Sequence, residues 1–234
     1  MSDTPFSRTI ALIGEDGLMR LKQTHVAVVG LGGVGGSAAM ALNRSGIGHI
    51  TLIDGDVVQM SNLNRQTAAR SHRIGMPKAD AMAEELSSTM DDVRFTIHNT
   101  FVTAENVGEL ITDDVDYVID AIDSVKDKIA LICHCHERGI RVISATGAGN
   151  RLRADQLCYG DLFSTSYDPL CRILRRELRG KVKHHKVVYS KEQPAAQIKG
   201  VIASMAFVPN AMGLLLSQAV VLAAAGIQKW EDIT

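Results

Sequence analysis

The chain has 234 residues, of which 46% are apolar and 22% charged, with a formal net charge of −1. That is enough for one α/β domain with a full core and too little for two independent ones, and the near-neutral balance excludes a global pull toward nucleic acid, so any such binding needs a local basic patch. Four cysteines in so long a chain, and an N-terminal MSDTPFSRTI without an apolar leader, argue against a secreted disulfide scaffold and predict a cytoplasmic protein.

In chain order, residues 1–25 read as a helical arm. Apolar runs of strand length then recur, HVAVVG, HITLID, VRFTIHN, DYVIDA and RVISAT, each followed by a helical pattern. Predicted helices cover 35–45, closed by Gly46, 77–88, opened by Pro77, and 126–138, closed by Gly139. The alternation predicts a Rossmann-like, doubly wound and mostly parallel sheet over 26–150, within a single domain spanning 1–234. Residues 151–234 read as an elaboration of it: a loop-rich stretch, a basic helix over 169–179, the strand KVVYS, the polar linker SKEQPAAQIKG with the composition of a mobile lid, and an apolar helix after Pro209. The apolar run 201–226 has the length of a membrane span, but Pro209, Asn210, Ser217 and Gln218 within it favour packing against a sheet or a partner subunit.

Gly30, Gly32, Gly33 and Gly35 follow a buried strand and open a helix, where backbone N–H groups and the helix dipole converge on phosphate. Asp54 ends the next strand, placed to accept hydrogen bonds from ribose hydroxyls, with Asp56 two residues on. These features alone fit a dehydrogenase and an ATP-using enzyme equally. The following DGDVVQMSNLNRQ separates the two, because Asn62, Asn64, Arg65 and Gln66 crowd the phosphate loop where a second nucleoside would need room. Lys78 adds a cation against charge developing on phosphate oxygens, and Asp123 in DAIDS supplies a carboxylate for magnesium beside a triphosphate. Taken singly, Arg65 also suits a surface ion pair, Lys78 a solvated helix, Asp123 a helix cap and Asn62 a turn.

GLGGVG, DGDVVQMSNLNRQ, GMPKAD and DAIDS, in this order, resemble the adenylating domain of ubiquitin-activating-type enzymes, including ThiF and MoeB. The resemblance implies that Asp54 binds ribose, that Asn62, Arg65 and Lys78 contact phosphates, and that Asp123 holds Mg²⁺. FSRTI resembles the segment that lends an arginine to a neighbouring subunit, which implies a homodimer with Arg8 acting in trans, although Arg8 also suits a solvated terminus. The paired CxxC zinc motifs of many members are missing: Cys133 and Cys135 form C-H-C-H inside a helix, two positions apart and on different sides, so no zinc is expected. Cys158 and Cys171 read as small buried hydrophobes.

IDAIDSVKDKIALICHCHERGI, ATGAG and DLFSTSYDPLCRILRRELR extend the likeness to the tRNA threonylcarbamoyladenosine dehydratase branch of that superfamily. By that resemblance, ATP activates the carboxylate of the threonylcarbamoyl group on adenosine 37 of tRNA, and an internal atom then closes the ring. The resemblance leaves room for a monovalent cation and for sulfur-relay partner proteins. Residues 171–186 carry seven cations against the single acid Glu177, and Arg172, Arg175, Arg176 and Arg179 recur at helical spacing, as an RNA-binding face or an ordinary solvated one. Two other readings stay open: adenylation of the C-terminus of a ubiquitin-like sulfur carrier, and a nucleotide-binding protein or dehydrogenase without this chemistry.

Overall fold

HVAVV is apolar at both alternating positions, as a strand covered on both faces must be, and it forms the fully buried β1 (His25–Val29). The structure is a computed structural model that describes residues 4–166, 168–195 and 202–233. Ahead of β1 lies α1 (Ser7–Gln23), bent at Gly14, whose φ of 76° leaves the helical region. After it come α2 (Gly33–Ser45), β2 (His49–Ile53), α3 (Lys78–Ser87), β3 (Arg94–His98), the short α4 (Val107–Leu110), β4 (Tyr117–Asp120), α5 (Val125–Arg138) and β5 (Arg141–Ala145). The last third adds β6 (Leu157–Asp161), α6 (Pro169–Leu178), β7 (Lys186–Ser190) and α7 (Phe207–Ala224).

The seven strands form one sheet in the order β3-β2-β1-β4-β5-β7-β6, parallel throughout except for β6, which runs antiparallel to β7. Val28 sits between Leu52 of β2 and Ile119 of β4. From β1 the chain winds outward to β3, then returns to β4 on the other side, so the carboxyl ends of β1 and β4 flank the switch point where ligands of such sheets collect. Side chains alternate between two layers. Val26, Val28, Ile50, Leu52 and Ile119 pack under α2, α3 and α7, while Ala27, Val29, Val118 and Val142 pack under α5. A third cluster seats Cys171, Leu174 and Leu178 of α6 against Ile132 and Val187.

The predicted strands and helices of the core form close to their expected places, and the last third differs in two respects. β6 is absent from the sequence reading because LCYGD offers neither an apolar run nor an alternation; it forms by completing the hydrogen bonding of β7. α7 starts at Phe207, ahead of Pro209, which occupies the first turn where no backbone N–H is needed. The second half of the linker read as a lid, residues 196–200, lies outside the described residues. α7 is long and apolar enough to cross a membrane by length and composition, yet its inner face packs within the domain. A Cβ on its Gly213 would fall 2.1 Å from Ser37 Oγ of α2, so only glycine permits that approach.

Candidate active site

At the end of β1 the chain must turn sharply and start a helix almost in contact with the strand. Gly30 makes the turn with φ 86°, and a Cβ there would lie 2.7 Å from the Ala121 carbonyl oxygen. Gly35 is tighter still: a Cβ would stand 1.7 Å from the Gly30 oxygen. The result is that the amino end of α2 opens directly onto a cavity of about 560 Å³ at the switch point.

Asp54 fastens this loop. Its carboxylate accepts the Leu31 N–H at 2.6 Å and the Asp56 N–H at 2.8 Å, which ties the glycine turn to the end of β2. Burial raises the pKa of this carboxyl, against the opposing pull of nearby Lys78 and of those two N–H donors. Two N–H bonds leave lone pairs on Asp54 for hydroxyl donors in the cavity that it lines.

The SNLNRQ segment begins as a 3₁₀ turn, Met60–Asn62, in which buried Asn62 accepts the Gln59 N–H at 2.9 Å. This fixes the base of Arg65, whose Nη1 donates to the Ser61 carbonyl at 2.8 Å and to Asn64 Oδ1 at 2.9 Å, while its stem lies beside Gly33. No carboxylate pairs with Arg65 among the described residues, so the ion-pair alternative for it is not met. Lys78, at the first position of α3, is buried and its Nζ reaches Asp56 at 2.7 Å. Asp123 is exposed to the cavity, and the cap position of α5 belongs to Ser124.

Gly30, Gly32, Gly33, Asp54, Asp56, Asn62, Arg65, Lys78 and Asp123 all line this one cavity. Gly35 does not; its part is the close packing of helix on strand. Arg8 lies elsewhere, exposed on α1 beside an open groove that it shares with Leu12, Met40, Leu214 and Leu222. On α6, Arg172, Arg176 and Arg179 are exposed, but Arg175 turns inward and donates to the carbonyls of Thr165 at 2.8 Å and Leu162 at 3.4 Å. Burial pushes up the thiols of Cys133 and Cys135 in α5, and raises Cys171 to about 11, so these three are poor nucleophiles.

The structure adds residues that sequence reasoning missed. Asp127, one turn after Asp123, also faces the cavity and accepts the Ser124 hydroxyl at 2.6 Å. Phe101 also lines the cavity and lies against Gly55. Beneath the DAIDS turn, Asp120 and Lys128 form a fully buried ion pair at 2.7 Å. Asp120 also accepts the Ile122 N–H at 3.1 Å and the Ser144 hydroxyl at 2.5 Å, and Ser144 contacts His185 Nε2 at 2.8 Å. Because Ser144 gives its proton to Asp120, His185 carries its own on Nε2, and burial keeps that ring neutral. This network holds the turn that presents Asp123.

The arrangement has the chemistry that suits a polyphosphate: a helix amino end and glycine loop, two cations, a buried acid with lone pairs open to hydroxyl donors, and two carboxylates, Asp123 and Asp127, of the kind that hold a divalent ion. Comparisons with known proteins agree. A model of the ThiF family matches residues 6–229. The tRNA threonylcarbamoyladenosine dehydratase of Bacillus subtilis is 36% identical over 236 residues, covering 93% of each chain. That of Escherichia coli is 43% identical over 184 residues, covering 77% of this chain and 69% of its own. The crystal structure of the E. coli enzyme with ATP superposes with a TM-score of 0.90 at 36% identity, covering 94% of this chain and 93% of the other. The chain belongs to the ThiF family and, within it, to the tRNA threonylcarbamoyladenosine dehydratases.

Proposed function

We propose that the protein uses ATP to adenylate the carboxylate of the threonylcarbamoyl group on tRNA and then closes that group into its cyclic, dehydrated form. The observation that carries this reading is the convergence of Asp54, Arg65, Lys78 and Asp123 on one cavity at the amino end of α2, in a fold shared with the dehydratase solved with ATP.

A carboxylate is a poor acyl donor until one of its oxygens becomes part of a good leaving group. In the proposed first step a carboxylate oxygen attacks the α-phosphorus of ATP, the bond from that phosphorus to the bridging oxygen breaks, and pyrophosphate departs. Arg65 and Lys78 offset the charge that builds on phosphate oxygens, and removing one such contact typically costs about 10²–10³ in rate. Asp54 orients the ribose. Asp123 and Asp127 would hold Mg²⁺, which when bound neutralises phosphate charge. In the second step an internal nucleophile of the same group attacks the acyl carbon, AMP leaves with the former carboxylate oxygen, and one proton is lost, for a net loss of one water. Intramolecular attack has a high effective concentration and needs no enzyme nucleophile, in keeping with the raised thiols of α5.

We further propose a homodimer in a cytoplasmic setting. Leu12 is 86% exposed, and it lines one open groove with the exposed Leu214 of α7, apolar surface of the kind that a second copy covers. Arg8 lies on this face and outside its own chain's cavity, as an arginine donated to a second copy would.

The test is AMP and pyrophosphate formation with tRNA that carries the threonylcarbamoyl group, followed by mass analysis of the nucleoside. Loss of one water supports the reading. Adenylation of a carrier protein ending in Gly-Gly, with no response to tRNA, would replace it.

A further inference from the structure

The basic helix is placed to do more than solvate the surface. Asp168 caps α6 by accepting the Cys171 N–H at 3.0 Å, and its carboxylate lies against Gly147, just past the carboxyl end of β5. The helix therefore begins at the sheet edge that holds the nucleotide cavity. It ends at Leu178, and the chain turns through 179–183 to reach the start of β7, which is parallel to β5. α6 thus runs about 15 Å from the catalytic edge toward the opposite one.

Its apolar face is spent on the core through Cys171, Leu174 and Leu178. The outer face carries Arg172 and Arg176, four residues and about 6 Å of rise apart, and exposed Arg179 follows at the cap just past the last turn, so the three make a basic row along this side. Lys181 and Lys183 continue it around a hollow floored by Phe163 and Val182, whose lining holds no acid. The single acid of the stretch, Glu177, pairs with Arg176 at 2.7 Å in an exposed contact that phosphate can displace at little cost. Arg175, held by the carbonyls of Leu162 and Thr165, is outside the row.

Resting on the function proposed above, we propose that this face holds the phosphates of the base-paired tRNA arm whose loop carries the modified nucleotide. The loop nucleotide reaches the cavity edge at the start of α6, and the stem follows the cations toward Lys183. A row of exposed cations, offset by the single acid Glu177 on Arg176, fits a polyanion of regular charge spacing, and Arg175 contributes to the shape of the helix and not to the row.

The experiment measures the dissociation constant of threonylcarbamoylated tRNA against potassium chloride concentration, for wild type and for Arg172→Ala/Arg176→Ala/Arg179→Ala/Lys183→Ala. Each lost phosphate contact lowers the log–log salt slope by about 0.7–0.9, so the expected slope is shallower by about 3 and binding near physiological salt at least roughly tenfold weaker. Arg175→Ala should leave the slope unchanged while lowering the melting temperature. An oligonucleotide of the loop alone should bind both proteins equally. An unchanged slope in the fourfold variant overturns the placement, and so does a variant that keeps tRNA but loses an acidic protein partner. If wild type neither binds nor dehydrates this tRNA, the underlying reading of function falls with it; tight, salt-dependent wild-type binding with an unaltered variant slope sinks the α6 placement alone.

Discussion

Replacing Lys128 with Met strips the counter-charge from Asp120 at a site where both side chains are fully buried. Leaving one member of such a pair uncompensated costs about 3–5 kcal/mol, far more than an exposed pair would. For a chain of this size each kcal/mol moves the melting temperature by about 2–4 °C, so Lys128→Met should melt roughly 6–20 °C lower in calorimetry. The loss is one of charge and not of packing volume, and a second substitution separates the two. In Asp120→Asn/Lys128→Met the amide oxygen in the Oδ1 position still accepts the Ile122 N–H, the amide nitrogen in the Oδ2 position donates to Ser144 Oγ, and most of the lost stability should return. Because Ile122 is held by Asp120 at 3.1 Å, the single variant should also weaken turnover at saturating ATP through a misplaced Asp123. A cost below about 1 kcal/mol for Lys128→Met, or no recovery in the double variant, would refute the argument.

Arg65→Ala and Asp123→Ala should each lower turnover by at least about 10² while the melting temperature stays near wild type, since neither residue holds the core together; normal turnover in either would remove it from the site. Gly35→Ala should abolish ATP binding in isothermal titration, because a Cβ 1.7 Å from the Gly30 oxygen forces helix and strand apart; retained affinity would contradict the packing described. His49 stacks on His25 at 3.5 Å, and burial, then the neighbouring charges of His25 and Arg94, lower it from 6.5 to about 4. The folded state thus refuses a proton that the unfolded chain accepts, so stability should fall as pH drops through that window, and His49→Gln should flatten this part of the curve in urea melts across a pH series. An equal slope in both proteins would show that His49 does not titrate as described.

What the sequence displayed was local. The apolar run HVAVV, the glycines after it and Asp54 belong to one strand–turn–helix unit whose geometry its own residues dictate, and four short motifs around it were enough to mark the cavity. What it hid depends on neighbours distant in the chain. β6 exists because β7 offers an edge, which LCYGD does not advertise. Asp127 reads as an acid favoured by the first turn of any helix, and Lys128 as one more solvated lysine in VKDK; only the fold turns the first into the cavity and the second under β4. Arg175 shares the spacing of its neighbours, but the carbonyls of Leu162 and Thr165 wait on its side of the helix.

The central claim is that a carboxylate on tRNA takes AMP from ATP in this cavity. It is tested most directly by incubating the enzyme with α-labelled ATP and tRNA with or without the threonylcarbamoyl group, then weighing the modified nucleoside. The account predicts AMP release only with the modified tRNA and a nucleoside lighter by one water. AMP formation indifferent to the modification, or a nucleoside of unchanged mass, would contradict it.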